Sequence, residues 1–313
     1  MIDFRTLRYG LEIETTGKPR NVVAAAIQSV VGGEIEHVGL PSAYDPYHLT
    51  DSKGRVWKVV ADASLTDAPH ELRAEIVTPI LTYEDMPDLQ NVVRAVRRAG
   101  SKASSSCGLH LHIDGSLFTG KTVANLIKTF YKYQELIVQA FGVRPERLER
   151  YCKLITPELI ERIEKKRPKS IEDINKVWFN GHYNPNPNRY DSTRYSVLNI
   201  VSLFRTGSIE VRAANSTLHA GVVRAYLTFA LALAAKALNS RCASSRPRRY
   251  DPASAKYDFR IFAVIHLGLM GEEMANVRKH LLANLPGDSS FKYGRRRAKK
   301  SVADETEACC GTD

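Results

Sequence analysis

The sequence predicts an α+β protein, a mainly antiparallel sheet with helices packed on one of its faces. Three observations predict it. Five short segments alternate apolar and polar residues with a period of two. Several longer segments have helical periodicity with recognisable ends. No internal repeat or low-complexity linker divides the 313 residues.

The strand segments come first because their two faces differ. In Leu11–Glu14 the leucine and isoleucine face one way and both glutamates the other. In Trp57–Asp62, Trp57, Val59 and Ala61 share a face opposite Lys58 and Asp62. Glu71, Arg73 and Glu75 form the polar side of Glu71–Ile76, and His110, His112 and Asp114 that of Leu109–Asp114. In Ile209–Arg212 the polar side carries Glu210 and Arg212. The apolar faces are what a helical layer would cover.

The helical segments supply that layer. Asn21–Val31 reads as a helix with an Asn N-cap and Gly32-Gly33 as its stop. Asp85–Ala99 has Pro87 near its start, Arg97-Arg98 in its last turn and Gly100 beyond it. Lys121–Phe141 carries the clearest apolar stripe, closed by Gly142. Gly221–Asn239 and Asp258–Leu282 are predicted as two more helices. Between 143 and 191 the chain becomes charged, with short helices expected near Pro157–Lys166 and Ser170–Phe179. Asn184-Pro185-Asn186-Pro187-Asn188 then forbids regular structure. This reads as an insertion ending in a substrate loop, within a single catalytic domain over 1–285. Residues 286–313 turn to Gly, Ser, Lys, Arg and Glu, the composition of a disordered basic tail.

Composition narrows the function classes. No apolar run approaches the roughly 20 residues of a membrane helix, and no signal peptide follows the first residues, so a cytoplasmic protein without a membrane partner is expected. Five cysteines, including Cys309-Cys310, contain no Cys-x-x-Cys pair and point to a reducing compartment. The net charge of +11 gathers in runs at 162–169, 246–249 and 295–300. Such runs suit nucleic acid, a solvated surface or an anionic substrate, and no nucleic-acid motif accompanies them.

The chemistry lies in the polar strand faces. Together they present seven carboxylates (Glu12, Glu14, Asp62, Glu71, Glu75, Asp114 and Glu210) beside two histidines and three bases. Glutamate is depleted in strands, and like charges on neighbouring strands repel, so such a face needs a compensating partner. Divalent cations with oxygen ligands supply one, His110 adds a nitrogen, and arginines suit phosphate or carboxylate. The combination reads as nucleotide plus metal.

Six segments in order carry a resemblance. Gly10–Glu14, Asp62–Leu65, Glu75–Leu81, Cys107–Asp114, Arg194–Asn199 and Ile209–Arg212 resemble the amidoligase family, within the superfamily of glutamine synthetases and glutamate–cysteine ligases, over roughly residues 5 to 235. The resemblance implies a curved sheet like the glutamine synthetase catalytic domain. It implies an ATP- and Mg2+- (or Mn2+-) dependent ligase that joins a carboxylate to an amine through an acyl phosphate. It assigns Glu12, His110 and Glu210 to one metal, and Glu14, Glu75 and Glu71 to a second. His112 and Arg212 would contact the transferred phosphate, with Arg194 and Asn199 also on the nucleotide side. Asp62 and Glu71 are the candidates for accepting the amine's proton. The substrates would be small-molecule or peptide acids and amines, and sites between subunits in the superfamily make a homo-oligomer compatible. The small N-terminal domain of glutamine synthetases and its nucleotide loops have no counterpart here, so nucleotide-base contacts and oligomer geometry do not carry over. Three other readings remain open from the residues: a phosphotransferase on the same sheet, a metal-dependent hydrolase using His-x-His, and a nucleic-acid-binding protein.

Overall fold

A chain of alternating strand segments must pair them edge to edge, and a computed structural model describing residues 1–39 and 44–294 gives the order. The strands are β1 (Tyr9–Thr16), β2 (Glu34–His37), β3 (Tyr47–Thr50), β4 (Val56–Val60), β5 (Arg73–Val77), β6 (Gly108–Asp114), β7 (Leu198–Asn199) and β8 (Ser208–Asn215). They form one eight-stranded sheet in the order β2-β3-β4-β5-β1-β6-β8-β7. Every neighbouring pair is antiparallel. The first long strand therefore sits in the interior, with β5 and β6 on its two sides. β2, β3 and β7 are additions to the sequence reading; they are short and lie at or near the edges.

The apolar faces are buried as their alternation requires. Leu11, Ile13, Trp57, Val59, Ala74, Ile76, Leu109, Leu111, Ile113, Ile209 and Val211 all lie in the core. Above them lie α1 (Arg20–Val31) against β2 to β5 and α8 (Ala220–Asn239) against β6. α2 (Met86–Arg98), α3 (Gly120–Ala140) and α10 (Ala275–Leu281) pack onto α8, and α2 also onto α1. α8 is long and apolar enough to cross a membrane, but most of it is buried inside the fold, which makes it the central core helix.

The ends of these helices follow local chemistry. Pro19, not Asn21, precedes the first helical residue of α1; the fixed φ of proline suits that position and Asn21 falls in the first turn. The stop at Gly32-Gly33 is required: Gly33 has φ 89°, and an added Cβ would lie 1.9 Å from the Thr50 carbonyl oxygen. The predicted helix over Asp258–Leu282 is instead broken. α9 (Ala255–Ile261) continues through a π-helical turn to His266, and the chain turns at Gly268 (φ 72°) and Gly271 (φ 82°) before α10. Two left-handed glycines override an apolar periodicity that runs across them. The 143–191 segment contains α4 (Pro145–Arg150), α5 (Pro157–Lys166) and α6 (Ile171–Trp178); α5 and α6 pack against α3. α7 (Val201–Thr206) links β7 to β8. The basic run at 295–300 and Cys309-Cys310 lie outside the described residues.

A buried polar knot ties the β3–β4 hairpin to α2. Asp85 accepts from the Thr82 N–H (3.0 Å), Lys53 Nζ (3.0 Å) and Arg55 Nη1 (3.0 Å). Arg55 also bonds Asp51, which accepts from Trp57 Nε1 at 3.1 Å. Burial alone would raise the Asp85 pKa, but the Thr82 N–H, Lys53 and Arg55 outweigh it and hold it at about 2. A carboxylate depressed in the fold stabilises it above the ordinary aspartate range and loses that contribution as the pH falls towards 2. Asp85→Asn is therefore expected to cost about 2 kcal/mol at pH 7 in urea unfolding, from lost charge-assisted bonds. The difference from the parent should shrink between pH 4 and pH 2.

Candidate active site

The polar face of the sheet inherits its residues from the same alternation that fills the core. β1 contributes Glu12 and Glu14, β5 Glu75, β6 His110 and His112, and β8 Glu210 and Arg212. Register decides which of them meet. Glu14 lies directly opposite Glu75 across β1 and β5. Glu12 lies opposite His110 across β1 and β6, and His112 opposite Glu210 across β6 and β8. Asn199 of β7 lies opposite Glu210. Between Leu109 and Leu111 the β6–β8 register shifts, because β8 carries one extra residue there. A bulge of this kind re-aims side chains.

His110 is the hub. Its Nδ1 stands 2.8 Å from Glu12 Oε2 and 3.6 Å from Glu210 Oε1, and its Nε2 3.7 Å from Glu14 Oε1. His112 Nε2 is 3.3 Å from Glu12 Oε1 and its Nδ1 3.1 Å from Ser208 Oγ. Glu210 is held by Arg212 Nη1 and by Asn199 Nδ2, the latter at 2.6 Å. Glu14 accepts the Gly108 N–H at 2.5 Å. Glu75 has neither hydrogen bond nor ion pair among the described residues, although it faces Glu14.

The charges divide into satisfied and unsatisfied groups. Burial pushes Glu12 up, but His112 and His110 prevail and hold it well below the usual carboxylate range. Burial likewise opposes Arg212, His112 and His110 at Glu210, and the cationic groups win, keeping it low. Burial, then Asp62, raise Glu14 against the pull of His110. For Glu75, burial and the charges of Glu12, Asp62, Glu14 and Glu210 all act upward, and it rises well above the ordinary value. Burial lowers His112, yet Glu12 and Glu210 raise it further than that.

This uncompensated carboxylate is the observation that tests the implied cations. Two sets of donors have atoms that all lie within 4.8 Å of one another: Glu12, His110 and Glu210, and Glu14, Glu75 and His110. Oxygen-rich sets with one imidazole suit magnesium or manganese, and a cation between Glu14 and Glu75 would remove their repulsion. The residues fit. A neutral imidazole has one free lone pair, so His110 ligates directly on one side only. Its shorter contacts, to Glu12 and Glu210, favour that side.

The whole constellation lines a cavity of about 580 Å³. Of the seven carboxylates, Glu12, Glu14, Asp62, Glu75 and Glu210 line it. Asp62 lies just beyond β4 and accepts the Ser64 N–H at 2.7 Å. Arg194, Asn199, Arg212 and both histidines line it too. Glu71 does not. It sits exposed in a 3-10 turn over His70–Leu72, because the chain turns after Pro69 and β5 begins only at Arg73. Its assignment as metal ligand and proton acceptor is withdrawn on that ground. Asp114 instead pairs with Arg8 and lines a neighbouring cavity of about 720 Å³ that is more apolar and includes Val77, Pro79, Ile80, Phe118 and Leu203. The two cavities share Glu12, His112 and Thr206.

Of the lining residues from the 143–191 segment, Arg189 and Tyr190 belong to the expected substrate loop, whereas Arg147 and Tyr151 escaped the sequence reading. Arg147 of α4 is buried, and donates to the Arg212 carbonyl at 3.4 Å and the Ser106 carbonyl at 3.5 Å. In sequence it belongs to Arg-Pro-Glu-Arg-Leu-Glu-Arg, which reads as any charged helix. Tyr190 meets Tyr44 hydroxyl to hydroxyl at 3.2 Å, with the Arg189 guanidinium 5.4 Å from the Tyr44 ring. Gly108 leaves room for Arg147: an added Cβ would stand 2.6 Å from its Nη2. Gly108→Ala is expected to destabilise the fold by roughly 1–3 kcal/mol, since the buried guanidinium must move; thermal unfolding measures it.

An eight-stranded α+β fold with a candidate cation site on the polar face of its sheet defines the class. The chain belongs to the amidoligase family, whose model, described as "putative amidoligase enzyme", matches residues 5–234. No curated protein matches it. Among solved structures it is similar to a bifunctional glutathione synthetase from Pasteurella multocida, at 12% identity and a TM-score of 0.42, over 93% of this chain and 49% of that one. The chain thus spans about half the length of that protein.

Proposed function

We propose that the chain is an ATP-dependent ligase that joins a carboxylate to an amine with two divalent cations, on a sheet of the glutamine synthetase catalytic kind. The observation that carries this is the junction of two cation-ready carboxylate sets with Arg212 and His112 in one cavity. Family membership supports the class of reaction.

A carboxylate is a poor acylating agent. Its oxygen would attack the γ-phosphorus of ATP, releasing ADP and leaving an acyl phosphate; the amine nitrogen would then displace phosphate and lose a proton. When bound, the cations would neutralise phosphate charge. The chain's own residues do the rest. Arg212, fixed against Glu210, offers a permanent positive charge to the transferring phosphoryl group. His112, whose protonated form is favoured by Glu12 and Glu210, offers a second. Asn199 orients Glu210 through a 2.6 Å bond. Asp62 lines the cavity without belonging to either donor set, which leaves it as the group to take the amine's proton. The apolar cavity beyond His112 suits a nucleobase, and the arginine- and tyrosine-lined mouth suits the acid and amine.

The test is an ATP-turnover screen across amino acids, polyamines and peptides with mass spectrometry of the products. The expected result is ADP release that needs both an acid and an amine, with a product lighter than its two parts by one water. ADP release with a single phosphorylated substrate and no amine would assign a phosphotransferase instead. Turnover without ATP would assign a hydrolase.

A further inference from the structure

On the helix-covered side, α2, α8 and α10 enclose a cavity of about 370 Å³. Arg94 and Arg97 of α2, Arg224 of α8, and the rings of His219 and His280 line it, and none of its ten lining residues is acidic. We propose that this cavity binds a free phosphate-type polyanion, of the inorganic pyrophosphate or phosphate-ester class, separately from the carboxylate-lined site. The inference does not rest on the ligase reading.

Four observations carry it. First, three guanidinium groups converge, and none of them forms an ion pair with a carboxylate among the described residues. Arg94 bonds only the neighbouring Asn91 side chain, at 2.9 Å, and Arg97 has neither hydrogen bond nor ion pair among the described residues. Second, Arg224 gives Nη2 to the Glu273 carbonyl at 3.3 Å, yet its Nε is buried without a partner. A buried donor left unbonded costs free energy that an anion oxygen would recover. Third, the cavity opens onto the start of the 20-residue α8, where Ala220 and Gly221 line it. The first N–H groups of a helix have no intrahelical acceptor and carry its positive end, which favours anions. Fourth, two imidazoles line the cavity, and His219 Nδ1 accepts the Val222 N–H at 3.3 Å, which leaves its Nε2 as the nitrogen that can donate. Their rings stand 4.9 Å apart in edge-to-face contact. Burial, then His219 and Lys279, keep His280 below its ordinary value.

The donors identify the ligand class. Guanidinium forks from two helices, imidazoles and a helix end approach from several directions, which suits the several oxygens of a phosphate group. A single carboxylate, with two oxygens in one plane and one charge, would leave most of them unused.

Titration calorimetry of the full chain with inorganic pyrophosphate in EDTA tests this. The front cavity sets five arginines beside five carboxylates, so binding there is told apart by a variant of its own lining, Arg194→Ala. We expect saturable binding at one molecule per chain, with a Kd on the order of 10⁻⁴ M. Arg97→Glu, an exposed position, should weaken it at least tenfold with an unchanged thermal midpoint; Arg224→Ala should weaken it similarly. Arg194→Ala, in the front cavity, should leave it unchanged. Absence of saturable binding overturns the proposal. So does binding that Arg97→Glu and Arg224→Ala leave intact, or binding confined to an oligonucleotide.

Discussion

Glu12→Gln is expected to lower ligase turnover by at least about 10³-fold, roughly 4 kcal/mol of barrier, while the protein stays folded. The size follows from where Glu12 stands. It is in contact with both His110 (2.8 Å) and His112 (3.3 Å), and it belongs to the donor set that includes Glu210. Removing its charge weakens cation binding and also removes the group that favours protonated His112. The fold should survive, because Leu11 and Ile13, not Glu12, pack into the core. Amide and carboxylate have nearly the same shape, and Glu12 is 28% exposed. Steady-state ADP release read beside the thermal midpoint separates the two effects. Activity within tenfold of the parent counts against the assignment, and so does an unfolded variant.

Glu75→Gln should do something less usual, raising stability without metal while removing stabilisation by metal. In the metal-free protein Glu75 faces Glu14 across the strand pair and feels Glu12, Asp62 and Glu210, with no ion pair among the described residues. Its neutral isostere relieves that repulsion, by about 1 kcal/mol. For the parent, MgCl2 or MnCl2 at about a hundred times its Kd should add about 2.7 kcal/mol, because only the folded state assembles the ligands. For Glu75→Gln much of that increment should vanish. Thermal unfolding with and without metal measures both. A variant that is less stable in EDTA yet equally stabilised by metal contradicts the account of this carboxylate.

Much of this was legible in the sequence because a strand's alternation assigns each residue to a face without knowledge of the partner strand. Glu12, Glu14, His110 and Glu210 follow from that rule. Which strands are neighbours does not, since β1 pairs with the distant β5 and β6 and lies between them. Glu71 failed where the rule's premise failed. The alternation continues on paper through Glu71–Ile76, but the backbone is a 3-10 turn until Arg73. The helix over 258–282 failed in the same way, at Gly268 and Gly271. Arg147 was illegible for a different reason. Its burial depends on Gly108 from another element giving it room, and a helix of alternating charges announces nothing of the kind.

The central claim, that short segments from four strands converge into a two-cation site, is tested most directly by anomalous diffraction from crystals grown with MnCl2. The account predicts one manganese peak bounded by Glu12, His110 and Glu210 and a second between Glu14 and Glu75. Manganese absent from both positions, in crystals with those side chains ordered, would contradict it.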